Sequence, residues 1–444
     1  MVASGCHMLA ILCRLVGACI ALAVSMPAAV ALAEEPALAQ QTLRIRDVID
    51  YARAHRKEIV AAKERARAAW RAAGAVGLPP DPMLMTNLDH LPLPIGAGEE
   101  FMWGADVSFM WQQQVPLSGE LSARTRRAEA QARALDRSVD AVRLDVEHQA
   151  VLAFIMIAEE QAMQKVVADQ IVLAESISKV AQARVSGGSG TPSDIVRAAL
   201  DKTRLEADQF ARVARISAAD AMLDAALGRE PDHSVPRCLL GVPSDAPAAS
   251  AELARAALLE RPEIAAMRER IAAAGEDVQV MRNMRAPMGV FGLGGAYTMA
   301  DGPGLMATVG ISIPIFKGKY DSGIASAEAM VSMERADLQA MKTMLAGEVT
   351  SARWSVEAAR IRQQSLEGDV LPQAKLAFDL TLSSYAGGQV PLVSLLESLS
   401  VLRSVQMEEV ASRVDLAFAW AKLGRGVGDV GLGLERASRE EEDE

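Results

Sequence analysis

Cysteine is scarce: the chain has four, and three of them (Cys6, Cys13, Cys19) fall in its first segment. Beyond that segment Cys238 stands alone, which excludes an intramolecular disulfide there and any cysteine-based metal site. The five histidines (His7, His55, His90, His148, His233) are far apart, and none belongs to an H-E-x-x-H pattern. There is no G-x-S-x-G and no phosphate loop; Gly292-Leu-Gly-Gly lies in a strand-like run with no helix after it. Motif-borne hydrolase and nucleotide chemistry are thereby excluded, and we assign no catalytic, cofactor-binding or metal-ligating residue. Nothing after residue 33 approaches the ~18–20 uninterrupted apolar residues of a membrane helix, Ala150–Ala158 being the longest such run. A basic patch is missing too, with a net charge of −11, so nucleic acid is not an expected partner. The arginines from Arg53 to Arg71 alternate with alanine at helical spacing and read as a solvated helix face, as do Asp145, Glu147 and His148 on a later helix.

What is present begins with a leader. Arg14 supplies positive charge, Leu15 to Val24 is apolar, and Ala31-Leu32-Ala33 offers a small-x-small cleavage site, so residues 1–33 are expected to be a signal peptide. Val16-Gly17-Ala18-Cys19 is a competing lipobox that would place an acyl chain on Cys19; apolar sequence continuing past it favours cleavage after Ala33. Either route takes the chain out of the cytoplasm. An exported chain without a membrane helix is periplasmic or enters a membrane as a β-barrel.

The mature sequence is written twice. Residues 58–83 recur at 263–288: Glu58-Ile59 returns as Glu263-Ile264, Glu64-Arg65 as Glu269-Arg270, and Pro82-Met83 as Pro287-Met288. Further echoes pair Val115-Pro116 with Ile313-Pro314, Glu129-Ala130 with Glu328-Ala329, and Gly187-Gly188 with Gly387-Gly388. Such duplication decides architecture before any local motif does.

Each copy holds a long helical rod. Leu135, Val139, Val142, Val146, Ala150, Ala153 and Ile157 fall three or four apart, and so do Met330, Met333, Leu345, Val349, Ala352 and Val356. The rods are expected over about Ser118–Ser186 and Lys319–Ala386, each about 100 Å long if continuous. Both end at Gly-Gly turns, Gly187-Gly188 and Gly387-Gly388, after which Ser193–Leu227 and Leu392–Leu423 return as helices. Between helices lie period-two segments: Val107, Phe109, Trp111 and Val115 alternate with polar or small residues, as do Leu305, Ala307, Val309, Ile311 and Ile313. That is the length and pattern of a membrane β-strand. Aromatics gather there (Phe101, Trp103, Phe109, Trp111, Phe291, Tyr297, Phe316). Four strands cannot close a barrel, so membrane insertion would require several chains to share one.

The order of signal, helix, β-hairpin and helical hairpin, repeated once, resembles the TolC-type outer-membrane efflux channel family over residues 42–425. The Val-Pro and Ile-Pro strand exits carry the likeness, with Tyr385-Ala-Gly-Gly-Gln-Val-Pro-Leu-Val-Ser-Leu-Leu-Glu397 at the second tip. The resemblance implies a mainly α fold with a small β part: long antiparallel hairpins forming an α-barrel, and four strands given to a shared trimeric twelve-stranded β-barrel. It divides the chain into a signal (1–33), a first repeat (34–227) with a β-hairpin at about 83–116, and a linker or equatorial segment (228–262). A second repeat (263–425) with a β-hairpin at about 288–316 follows, then a disordered acidic tail (426–444). The implied role is a passive exit duct in the outer membrane, working as a homotrimer in contact with lipid, a periplasmic adaptor and an inner-membrane pump of the RND type. A periplasmic adaptor is the alternative, but it would centre one hairpin between β-rich domains.

The resemblance also implies an aperture at the periplasmic tips. Asp194 and Glu397 follow the tip turns Gly187-Gly188 and Gly387-Gly388, and tripled they would form two carboxylate rings favouring cations. Asp194 is equally placed to cap its helix, and Glu397 to be an ordinary exposed residue. Ser394 replaces an aspartate of many relatives, the first turn carries one extra residue, and no arginine stands near the second turn, where Gln389 is the local candidate. Leu78-Pro-Pro-Asp-Pro-Met83 and Leu88-Asp-His-Leu-Pro-Leu93 look most like members serving heavy-metal exporters. Methionine at Met83, Met85, Met102, Met110, Met299 and Met306 either offers soft ligands or fills apolar surface.

Overall fold

The computed structural model describes residues 42–89, 106–231, 235–298, 301–435 and 437. The leader with its three cysteines, His90, His233, Phe101, Met102, Trp103, Met299 and the acidic run Glu440–Glu444 lie outside the described residues.

Two short helices, α1 (Ile45–His55) and α2 (Lys57–Val76), lead into β1 (Met83–Asp89). Strand β2 (Asp106–Pro116) feeds α3 (Glu120–Ser186), which turns back as α4 (Pro192–Leu227). The second half repeats this: α5 (Ser250–Glu260), α6 (Pro262–Asn283), β3 (Met288–Thr298), β4 (Gly302–Ser312), α7 (Lys317–Ser365), a π-helical segment Leu366–Val370, α8 (Leu371–Ala386) and α9 (Leu392–Val427). Both return helices, α4 and α9, are 36 residues long.

The strands form one antiparallel sheet in the order β1-β2-β3-β4. Register aligns Leu84, Trp111, Leu293 and Ala307 across one face. That face is apolar and bare, with Leu84, Phe109, Leu293, Leu305, Val309 and Ile311 all exposed and Leu305 95% so. The opposite face carries Ser108, Met110, Gln112, Gln114 and Thr308. Where Gly294 of β3 faces Met110 of β2, a Cβ on Gly294 would lie 2.0 Å from the Phe109 carbonyl oxygen. Only glycine fits there.

Helices continue the strands as one wall. Near the sheet they pack in the order α2–α3–α6–α7, matching the strands they adjoin. Arg126–Glu276 (2.9 Å), Arg127–Asp277 (2.6 Å) and Arg282–Glu328 (2.8 Å) stitch these seams. Farther out the order is α4–α3–α9–α8. Alanine at the seams (Ala123, Ala130, Ala150, Ala181, Ala198, Ala352) is buried and lets helices approach closely.

Several expectations need correction. The second rod is not continuous: Pro372, overlooked in its periodicity, follows a π-helical turn that separates α7 from α8. The two tip turns have equal length, five residues each (187–191 and 387–391); Pro192 opens its helix whereas Pro391 is the N-cap of its own. Within 228–262, the linker or equatorial segment, residues Ser250–Glu260 form α5. The supposed tail is folded at its start, with Val430 and Leu434 buried against the body. Glu147 is buried, not solvated: Arg53 Nε donates to it at 2.8 Å, and Arg143 Nε lies 3.6 Å away. Arg56 is buried as well, because its guanidinium does structural work described next.

Candidate functional site at the hairpin tips

Two levels of the wall carry concentrated polar chemistry, the mid-level anchor and the distal tips. At the anchor, Arg56 Nη1 donates to the carbonyls of Ala225 (3.1 Å) and Ala226 (2.6 Å) at the end of α4, while its Nε and Nη2 grip Glu58 at 2.9 and 2.6 Å. The second repeat does the same. Arg261 Nη1 donates to the carbonyls of Arg425 (2.7 Å) and Gly426 (3.3 Å) at the end of α9, and its fork holds Glu263 at 2.9 and 2.7 Å. Helix C-termini leave carbonyls unpaired and carry partial negative charge, so a guanidinium answers both needs. Both return helices end on left-handed glycines, Gly228 (φ 77°) and Gly428 (φ 101°), against which the arginine stems lie. The Arg56 hydrogen bond holds the Glu58 carboxyl below its ordinary range. Burial pushes the Glu263 carboxyl up, but the Arg261 and backbone hydrogen bonds together with the Arg261 and Arg425 charges outweigh it and leave the group lowered.

Beside this anchor lies His148, half-buried, with its Nδ1 unpartnered. It lines a cavity with Glu348, Phe418, Lys422 and Arg425. Burial and the Arg425 charge push its pKa down to about 4.

The tips are built on the two Gly-Gly turns. Gly188 (φ 74°) and Gly388 (φ 78°) adopt the left-handed conformation that reverses the chain. Ser189 N–H donates back to the Arg184 carbonyl, and Gln389 N–H to the Ser384 carbonyl, both at 2.9 Å. Thr191 then caps α4, its backbone N–H donating to Asp194 Oδ2 at 3.0 Å, a capping-box arrangement with Pro192 in the first turn. Asp194 is thus held by its own helix start. Glu397 stands exposed on α9 and makes no side-chain hydrogen bond or ion pair among the described residues.

The missing arginine at the second turn is supplied by the first hairpin. Arg184 Nη1 donates to the Tyr385 carbonyl at 2.6 Å and Nη2 to the Ser189 carbonyl at 3.1 Å. Its guanidinium also covers the Tyr385 ring, 4.4 Å from the centroid. Tyr385 is fully buried within a cluster of Ile177, Ala181, Phe378, Leu392, Leu395 and Leu399 that joins all four distal helices. One side chain therefore fastens the two tips together. Sequence reading noted Tyr385 but missed Arg184, whose partner is 201 positions away.

The family model described as outer membrane efflux protein matches residues 253–429. The pyoverdine export outer membrane protein OpmQ of Pseudomonas putida is 24% identical over 420 residues, 86% of this chain and 85% of that one. Among solved structures, the outer membrane protein VceC of Vibrio cholerae is similar with a TM-score of 0.69 at 18% identity, covering 87% of this chain and 96% of its own. The open-state MtrE outer membrane channel of Neisseria gonorrhoeae gives a TM-score of 0.71 at 16% identity, covering 87% and 89%. At such identities the structural likeness is one of fold.

Proposed function

We propose that this chain is an outer membrane efflux protein and works as the exit duct of a tripartite pump, three copies forming one channel. Its place is the outer membrane, with the helical part extending into the periplasm. A periplasmic adaptor and an RND-type inner-membrane pump are the proposed partners, the pump supplying the energy.

The observation that carries this reading is that the wall is unfinished at both edges and in both layers. Among the described residues, strands β1 and β4 each have one unpaired edge, which lipid does not tolerate. The helical edges match them. On α4, Val196, Leu200, Phe210, Val213 and Met222 are exposed; on α7 and α8, Met344, Trp354, Ile361, Leu376 and Leu380 are exposed. Dissimilar edges that complement each other join head to tail, and such contacts close into rings when the rotation between copies closes. Four strands apiece make twelve with three copies, an even antiparallel number. Tip carboxylates Asp194 and Glu397 would then ring the aperture and favour cations.

Outer-membrane fractionation followed by a gel of unheated and heated samples tests the reading. A heat-labile band at three times the chain mass supports it, whereas a soluble periplasmic monomer overturns it. Heavy-metal cations are the cargo to test first. Met85, Met110 and Met306 share one register row on the less apolar sheet face. Packing accounts for Met110 too, since its Sδ lies 3.0 Å from where a Gly292 Cβ would be. A deletion strain compared on copper, silver, zinc, cobalt and lipophilic drugs decides: unchanged metal tolerance with heightened drug sensitivity removes the metal assignment.

A further inference from the structure

The apolar sheet face does not stop where the strands do. Along β4 the outward residues Leu305, Val309 and Ile311 are followed by Ile313, Ile315 and Phe316, which are 69%, 69% and 71% exposed. Pro303 pairs with Tyr297, and the steps of about 3.4 Å from Pro303 to Ile313 add up to ~34 Å, or ~26 Å along the membrane normal at a tilt of about 40°. That fills the apolar band of a membrane strand, about 25 Å tall. Tyr297 therefore marks one border of the band, and Phe316 marks the other, where the helices begin. The helical part extends into the periplasm, so Phe316 stands at the periplasmic leaflet.

Two cations follow at once. Helix α7 opens on Lys317-Gly318-Lys319, with both lysines exposed. Neither has an ion pair among the described residues, and no carboxylate stands in the first turn of α7. Asp321, the next one along, is held by Arg285 at 3.3 Å. Gly318 has open space around its Cβ position, which leaves the surface between the lysines uncovered. The first repeat is different here: Leu117 is exposed beyond β2, but α3 opens on buried Glu120, which Arg124 pairs. We propose that Ile313, Ile315, Phe316, Lys317 and Lys319 form a docking surface for one anionic phospholipid of the periplasmic leaflet in each copy. The apolar residues lie against its acyl chain and the ammonium groups on its phosphate; this rests on the duct reading above.

Position selects the occupant. Two uncompensated ammonium groups at the edge of a hydrocarbon layer call for an anion that carries its own apolar body, which a phospholipid with a net negative headgroup supplies. Lysine stems run along apolar surface while their charged heads reach the polar layer. A zwitterionic headgroup fits less well, because its own cation repels the lysines. Each lysine close to an anionic membrane surface is worth about a fivefold gain in affinity, so the pair is worth about 25-fold. The rival claimant is a carboxylate of the adjoining copy. Asp81, exposed just ahead of β1 on the opposite border of the wall, is the one carboxylate of residues 77–88. A single carboxylate leaves one of the two positive charges unanswered, which favours the lipid.

Lipid titration of the assembled channel tests this. Detergent-solubilised trimers are titrated with phosphatidylglycerol or with phosphatidylcholine, and bound lipids are counted by native mass spectrometry. Phosphatidylglycerol is expected to bind more tightly, at one strong site per copy, with an affinity that falls as salt rises. Lys317→Gln combined with Lys319→Gln should weaken it about 25-fold and each alone about fivefold, leaving phosphatidylcholine unchanged. Arginine at both positions should keep the preference. Equal affinity of the native chain for the two lipids, or an unchanged preference in the double variant, overturns the proposal. So does displacement of the lipid by an equal concentration of inorganic phosphate, which would mark an ion site without a lipid. If the double variant and Asp81→Asn both lose the trimer, the lysines serve a contact between copies and the proposal falls. Should the double variant alone fail to assemble, the lipid preference and salt dependence of the native chain still decide. Failure of the native chain to form trimers before any lipid is added would instead defeat the duct reading, an outcome distinct from the others.

Discussion

Replacing Arg261 with methionine should loosen the end of α9 far more than Arg56→Met loosens the end of α4, although the two arginines hold their helix ends and glutamates alike and Arg56 adds a bond to Gln149 at 3.3 Å. Both variants keep an apolar stem and remove the guanidinium. At position 261 the lost partners are two C-terminal carbonyls and Glu263, whose side chain is 23% exposed. Removing one partner of a mostly buried ion pair costs about 3–5 kcal/mol, and the low end applies because Arg425 Nη2 still lies 3.8 Å from Glu263. At position 56 the carboxylate partner, Glu58, is 54% exposed, so water replaces the lost pair at little cost. There the loss is chiefly that of the two carbonyl bonds, about 1–3 kcal/mol. The difference of about 2 kcal/mol is a factor of roughly 30 in a local opening constant. Hydrogen exchange of assembled channel reads it directly at the cap amides, Gly428 and Asp429 for the one site and Gly228 and Arg229 for the other. Exchange at 428–429 in Arg261→Met should accelerate by at least a hundredfold. Less than tenfold acceleration there, or equal acceleration at both sites, would refute the burial argument.

Arg184→Ala should raise single-channel conductance in planar bilayers, because it removes the hydrogen bond and the ring contact that tie Tyr385 to the first hairpin; unchanged conductance would free Arg184 of any latching role. His148 has its pKa lowered to about 4, so its contribution to stability is present above the unfolded value near 6.5 and is lost as pH falls toward 4. Discounted for partial exposure this is about 1–2 kcal/mol, and His148→Gln should flatten the pH dependence of thermal stability across that window. Glu58 and Glu263, both lowered, act below it: their contributions are complete above the ordinary glutamate range and vanish as pH drops through their depressed folded values. Gly294→Ala should abolish outer-membrane assembly, since the added Cβ meets the Phe109 carbonyl, while Gly304→Ala, with open space around it, should assemble normally.

The strands, the rods and the tip turns were legible because each leaves a local trace: period two, period near 3.6, and paired glycines. The duplicated plan was legible from spacing alone. What escaped was chemistry made between distant segments. Arg56 is one arginine among many in an alanine-rich helix start, and only its recurrence ahead of Glu58-Ile59 and Glu263-Ile264, with Gly228 and Gly428 in step, could have marked it. Glu147 looked solvated because helical spacing does not reveal that Arg53 folds over it. Arg184 lies in the first repeat and its role in the second. The π-turn was hidden because a one-residue addition barely disturbs hydrophobic periodicity; Pro372 and the step in repeat interval from 199 (Glu129 to Glu328) to 200 (Gly187 to Gly387) were its signals.

The bare borders of the four-stranded sheet bear on how the protein reaches its membrane. A solitary copy pushed into hydrocarbon would strand a row of amides and carbonyls along β1 and another along β4, so no half-inserted subunit can wait for its companions. In the proposed duct, docking of copies and entry into the bilayer would therefore coincide, which would make biogenesis steeply dependent on how much chain is synthesised.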